Sequence, residues 1–313
     1  MKKIFTLVAV ALTLAQIGCI KIVSSSDSNN LSENYYQWDT PQFDQSKFTM
    51  GNAVIAEQVK SLDIDWTTGQ VDVVEDDVAQ VTIAEIAKDS LSDSIKMCHW
   101  VDRSGQLIIR FKRPGKYEGD LSKHLTVKVP KGTRLDEIEI NGISCDVKCF
   151  PAQNLDMDLP SGSTSTGKIN VHDMKINTIS GDVVVNQLAC NELDVETISG
   201  NITVQGASLG ECKIESVSGD VVVNQLAGNE LDVQTASGDI TVQGVSFGEC
   251  EVVSVSGDVE FATNGSGHTI STSTISGDVK CKLAAVSDGG VYTIGSGKNA
   301  VDIETLSGDI TIK

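Results

Sequence analysis

Apolar and polar positions alternate with a period of two through most of the chain. After Gly181-Asp182, Val183 and Val185 fall on one face and Val184 and Asn186 on the other; farther on, Leu193, Val195 and Thr197 share a face opposite Asp194 and Glu196. Such alternation predicts half-buried β-strands. The pattern then recurs. Ser-Gly-Asp or a near match stands at Ser180-Gly181-Asp182, Ser199-Gly200-Asn201, Ser218-Gly219-Asp220, Ser237-Gly238-Asp239 and Ser256-Gly257-Asp258, each 19 residues after the last. Ser161-Gly162-Ser163 lies one step upstream, and Ser276-Gly277-Asp278 and Ser307-Gly308-Asp309 follow at looser spacing. Residues 179–206 and 217–244 agree at 23 of 28 positions, so two 19-residue units were copied as a 38-residue block.

One unit holds two strands of about six residues and two short turns, with no room for a helix. Gly at the fixed corner is expected to supply a positive φ, and the Asp or Ser beside it to bond the turn backbone. If each unit is one coil, like stacks on like. Leu193, Cys212, Leu231 and Cys250 form one interior column, and Val195, Ile214, Val233 and Val252 the next. Thr197, Ser216, Thr235 and Ser254 line up at the corner, where their hydroxyls are expected to satisfy one another. A single coil cannot bury its own apolar face, so stability comes from neighbours. The predicted fold is an all-β, single-chain β-solenoid of parallel β-helix type, with eight or nine coils over residues 144–313 and a length of about 40 Å. An antiparallel β-sandwich is the alternative.

Ahead of the repeat, Val59 to Trp66, Gly69 to Val73, Val78 to Ile86, Leu107 to Phe111 and Leu125 to Val129 also read as strands, and residues 51–143 are expected to form a β-rich cap on the first coil. Residues 19–50, rich in Ser and Asn, read as a tether. Residues 1–18 read as a signal peptide, because Lys2-Lys3 precedes a 12-residue apolar run, Ile4 to Ala15, too short to span a bilayer. That run ends at Gln16-Ile17-Gly18-Cys19, which resembles a bacterial lipobox with Gln16 where Leu is usual, and Cys19 is the expected lipidation site.

The chain carries 24 Lys and Arg against 43 Asp and Glu, a formal charge of −19, and loses two more bases if the leader is cleaved. This acidity argues against nucleic acid, whose phosphates need clustered Lys and Arg. A hydrophobic fraction of 40% excludes a disordered acidic tail. Seven cysteines beyond Cys19 make a poor disulfide framework. Cys145 and Cys149 are the one close pair, about 13 Å apart along a strand and out of bonding reach. Cys212 and Cys250, two coils apart, are too far apart as well.

No catalytic residue emerges. Gly206-Ala207-Ser208-Leu209-Gly210 and Gly244-Val245-Ser246-Phe247-Gly248 fit the G-x-S-x-G nucleophile pattern, but they occupy equivalent turns with no helix to follow. His99, His124, His172 and His268 lack metal-ligand spacing, and Gly295-Ser296-Gly297-Lys298 lacks that of a phosphate loop. Two acid ladders remain. Asp182, Asp220, Asp239 and Asp258 (with Asn201) fill one corner column, and Glu192, Glu211, Glu230 and Glu249 the opposite one. Carboxylates ~4.8 Å apart repel by about 1 kcal/mol in water, which a hard cation such as calcium would relieve. Asp also suits turns by itself, so turn chemistry is the leading expectation, with no cofactor, and calcium the alternative.

The order of blocks is informative: Leu62-Asp63-Ile64-Asp65-Trp66, then Gly69-Gln70-Val71, Leu107-Ile108-Ile109, Leu125 to Gly132, and the Ser-Gly-Asp repeats. Over residues 54–313 the chain resembles the bacterial putative-adhesin β-strand-repeat family, a domain of unknown function. Ser144-Cys145-Asp146 departs from the repeat by placing Cys where Gly is usual. The resemblance implies an exported, non-enzymatic surface protein. The expected function is therefore a cell-envelope lipoprotein presenting an acidic rod to an extracellular protein or glycan, held to the outer membrane or cell surface by its lipid. The alternatives are a β-helix glycan-processing enzyme or an envelope sensor, and a periplasmic or secreted location. The last strand, Ser307 to Lys313, reads as a bare edge and is expected to give weak self-association.

Overall fold

The computed structural model describes residues 48–93, 95–112, 121–149, 152–263 and 267–313. The leader, Cys19 and the tether up to residue 47 lie outside the described residues. Every regular element among them is a β-strand, and all strands join one 27-stranded sheet system.

The 19-residue step is a physical translation. The long strands Asp173–Ser180, Leu188–Thr197, Ser208–Ser216, Ala227–Thr235 and Ser246–Ser254 pair in parallel with partners 19 residues apart. The short strands Val183–Asn186, Ile202–Gln205, Val221–Asn224, Ile240–Gln243 and Val259–Ala262 do the same. Each coil is a short strand, a corner, a long strand and a second corner. Leu193, Cys212, Leu231 and Cys250 stack in register and are buried, as are Val195, Ile214, Val233 and Val252. The fold is thus an all-β solenoid, and not the antiparallel sandwich. Among the described residues, antiparallel pairs occur only in the strands at the two ends of the stack.

At both ends, spatial order departs from chain order. Strand Ser61–Asp76 lies between Leu135–Cys149 on one side and, on the other, Gln106–Arg110 and Lys123–Pro130. Strand Asn299–Thr305 lies between Ser246–Ser254 and His268–Thr274. From Gln106–Arg110 to His268–Thr274 the parallel long-strand stack spans roughly 50 Å, at ~4.8 Å per rung. Strand Leu135–Cys149 passes through residues 143 and 144, and one apolar core continues from Ile55 to Ile312.

Three sequence expectations need correction. The terminal strand is no edge: Ile310–Ile312 pairs with Val259–Ala262 on one side and Val279–Cys281 on the other, because its coil is slotted into the stack. From Gly181 onward the corner glycines act through close approach and not through φ, whereas Gly162, at the first corner, does hold a positive φ of 143°. A Cβ on Gly200, Gly219 or Gly238 would lie 2.0–2.1 Å from the carbonyl oxygen of the corner glycine one coil below. Positive φ falls instead at the other corner, on Gln187 (51°), Gly206 (67°), Gln225 (55°) and Gly244 (64°). Finally, the stacked hydroxyls of Thr197, Ser216, Thr235 and Ser254 are buried without a hydrogen-bond partner.

At the N-terminal end, Trp66 is buried and its Nε1 donates to the Lys123 carbonyl at 3.1 Å. The Lys123 ammonium, fully buried, bonds Glu85 at 3.0 Å and the Ile95 carbonyl, and lies 4.3 Å from the Phe111 ring. Burial lowers the Lys123 pKa, while Glu85 works against that shift.

Candidate functional site

The side chains available for function are those the repeat turns outward. At the glycine corner, the Asp or Asn of each coil is tied to the backbone of the next. Asp182 Oδ1 accepts from the Asn201 backbone N–H at 2.9 Å, Asn201 Oδ1 from Asp220 at 3.1 Å, Asp220 from Asp239 at 3.0 Å, and Asp239 from Asp258 at 2.9 Å. The ladder then follows space rather than sequence: Asp258 accepts from Asp309 at 2.8 Å, and Asp309 from Asp278 at 2.8 Å. That last bond, followed by Lys280, lowers the Asp309 pKa. Each carboxylate thus satisfies a backbone donor that the corner would otherwise leave without a partner, a charge-assisted role. Asp146 does the same for Ser163 at 2.9 Å.

Glu192, Glu211, Glu230 and Glu249 form a separate exposed file on the long strands. The structure therefore aligns each acid set within itself, but only the Asp set sits at a corner: the glutamates lie within the long strands and not, as the sequence suggests, at the opposite corner. Among the described residues, no three His, Cys, Asp or Glu side chains converge into a metal-holding group.

Two further outward files lie to one side of that glutamate ladder, two and four residues farther along each strand. One runs Asp156, Lys175, Asp194, Lys213, Asp232, Glu251; the other runs Asp158, Asn177, Glu196, Glu215, Gln234. Lysines in the first file offset neighbouring acids only in part, with Lys175 at 3.8 Å from Asp194 and Lys213 at 3.0 Å from Glu215. Burial, reinforced by neighbouring carboxylates, raises the pKa of Asp156 and Glu196. Burial raises Asp232 as well, against the hydrogen bond from Gln234. Near the cap, Asp65 is pushed up to about 6, chiefly by burial, even though Arg110 sits 2.6 Å away. Alternation marked these positions as outward, but only the register shows that they form one acidic sheet face, interrupted at Val253, which is buried against Val255 and Leu306.

The residues tested for chemistry fall apart in space or in chemistry. Ser208 and Ser246 are exposed at the start of long strands, two residues after the left-handed Gly206 and Gly244 of the same corner. His124 pairs with Asp72 at 2.9 Å and His172 with Asp173 at 2.8 Å. His99 and His268 are buried in strands, and burial lowers both pKa values. One shallow cleft of about 390 Å³ breaks the regularity, lined by Arg134, Asn170, His172, Cys190 and Asn191. Its thiol is a poor nucleophile: burial, then Asp173 and Glu192, push Cys190 up to about 12. Cys98, Cys190, Cys212, Cys250 and Cys281 carry free thiols.

A stack of parallel coils, closed by antiparallel strands and joined by a carboxylate ladder, extends over nearly the whole described chain. Residues 59–313 match the model of the Toastrack DUF4097 family. The chain belongs to this family. No curated protein matches it. Among solved structures, a putative lipid binding protein from Parabacteroides distasonis shares the Toastrack fold, with a TM-score of 0.55 at 13% identity over 85% of this chain and 97% of that one. A putative adhesin from Bacteroides fragilis aligns over 85% and 97% at 11% identity with a TM-score of 0.49. A putative cell adhesion protein from Clostridium sporogenes aligns over 85% and 99% at 13% identity with a TM-score of 0.24. The Toastrack domain has no assigned function, and of these three structures the one from Parabacteroides distasonis bears on architecture.

Proposed function

We propose that this Toastrack protein is a non-enzymatic envelope lipoprotein, an adhesin-type rod that presents its acidic sheet face to an extracellular protein or glycan. The observation that carries the reading is the translational equivalence of the outward side chains. Charged side chains recur at the same register positions, Glu in each of four successive coils and Asp and Lys in alternate coils of the neighbouring file, which suits multivalent contact along a surface. Catalysis needs unlike groups converging on one point. The leader and Cys19 supply the anchor in this reading, and calcium is not needed to hold the Asp corner. The test is binding of the intact chain to arrayed matrix proteins and glycans, with and without a calcium chelator. Saturable, chelator-insensitive binding that weakens with added salt supports it, whereas release of shortened glycans on incubation overturns it. Cys19→Ala is expected to move the protein from the membrane fraction to the soluble one.

A further inference from the structure

The two ends of the rod are finished differently. At the N-terminal end the outermost parallel strands are fully buried inward, at Leu107, Ile109, Leu125, Val127 and Val129. Antiparallel strands extend both sheets there, with Cys98–Val101 beside Gln106–Arg110 and Thr82–Ala87 beside Lys123–Pro130. At the other end only the long-strand sheet is extended, by Val291–Ile294 and Val286–Asp288. The short strand Val279–Cys281 pairs with Ile310–Ile312 alone, and its second edge has no strand against it among the described residues. Its inward residues Val279 and Cys281 are only half-buried, as are Leu283, Ala285 and Tyr292 behind it. Val286 and Ile275 at the same end are 75% and 62% exposed; Val54 and Ile86 at the N-terminal end are 63% and 65% exposed, so the open short-strand coil is what sets the two ends apart.

Charge sorts in the same direction. Residues 267–298 carry Lys280, Lys282 and Lys298 against Asp278 and Asp288, a net +1 on a chain of net −19. The body of the rod therefore repels its own copies, and this end does not. The lysine on the open edge is neutralised, because Lys280 lies 3.2 Å from Asp309 and 3.8 Å from Asp278. We infer that the end formed by residues 268–294 is a self-association surface, on which a second copy of this chain docks end to end. The contact is isologous, since the opposite end has its core closed and offers no matching open coil. Two rods meeting this way complete each other's open coil and keep their acidic faces apart. The inference stands independently of the adhesin reading.

The experiment is sedimentation equilibrium of the intact purified chain up to about 200 µM, an interval that detects contacts weaker than micromolar. A monomer–dimer equilibrium is expected, tightened by added salt as body repulsion is screened. Val286→Asp and Ile275→Asp, both on exposed sites, are expected to weaken it at least about tenfold with the β circular-dichroism spectrum unchanged. Val54→Asp, at an exposed site on the other end, is expected to leave it intact. Under oxidation, Val286→Cys is expected to trap a covalent dimer and Val54→Cys is not. A monomer throughout the range overturns the inference. So does a dimer indifferent to Val286→Asp and Ile275→Asp, or one abolished by Val54→Asp.

Discussion

A methyl group added at Gly219 would stand 2.0 Å from the Gly200 carbonyl oxygen, closer than any real contact. The obstacle is backbone, which can yield only by parting two coils. Gly219→Ala is therefore expected to cost at least about 3 kcal/mol in urea unfolding, at the severe end of overpacking. Gly132 offers a contrast, since nothing lies within 4 Å of its added Cβ and the φ of 77° is the only penalty. Gly132→Ala is expected to cost about 1 kcal/mol. The reverse change applies at Gln225, which holds φ at 55°. Gln225→Gly is expected to stabilise by about 0.5–1 kcal/mol, relief of strain exceeding the entropy of a freer unfolded chain. The Ser-Gly-Asp recurrence made the corner legible, but sequence alone could not say which of two corners is left-handed. Alternation of Gln187 and Gly206 with Gln225 and Gly244 hides that position, because Gln is a poor marker of positive φ.

At the level of strands, the true period is two coils. Leu and Cys alternate in the column Leu193, Cys212, Leu231, Cys250, and Phe247 fills the space over Gly228, where a Cβ would lie 2.5 Å from the ring. Removing residues 187–224, one 38-residue block, joins Asn186 to Gln225 and keeps Phe247 over Gly228. That variant is expected to fold into a rod about 9.6 Å shorter by small-angle scattering, two rungs at ~4.8 Å each. Removing residues 206–243 instead brings Phe247 over Cys190, and is expected to give a markedly lower melting temperature. The outer surface of the long strands sets the pH response. Asp65, Asp156, Glu196 and Asp232 all have raised pKa values, so the folded chain binds protons there before the unfolded chain does. Stability is then gained as pH falls from above about 6, the Asp65 value, toward the ordinary carboxylate range near 4, and is lost as pH rises. Asp76, Asp93, Asp102 and Asp309, whose pKa values are lowered, pull the other way only below that range. The buried His99 and His268, also lowered, oppose the gain as pH falls through the ordinary imidazole range near 6.5, two groups against four. A higher melting temperature at pH 5 than at pH 8 checks this. Asp65→Asn should flatten the dependence, since Arg110 keeps its 2.6 Å bond to Asp63.

Over the whole molecule, the parallel stack, its columns and its step were readable because every coil repeats the same local rule. The ends were not, because nothing local marks a strand that pairs out of order. Thr305 continues the hydroxyl column and Ser307-Gly308-Asp309 continues the corner, so residues 299–312 look like an ordinary last coil. The buried Lys123–Glu85 pair was equally silent, since 38 residues separate its partners.

That out-of-order coil constrains how the molecule can be assembled. Residues 268–281 rest on residues 299–312 and make no strand pairs with residues 246–262, the coil before them in the chain. As the polypeptide emerges during synthesis, the earlier coils can settle one upon another. This segment has no seat until the stretch that follows it has arrived and wedged itself underneath. Completion is thus a late, concerted event involving two coils, and until it happens the growing stack has an unfinished face open to misjoining.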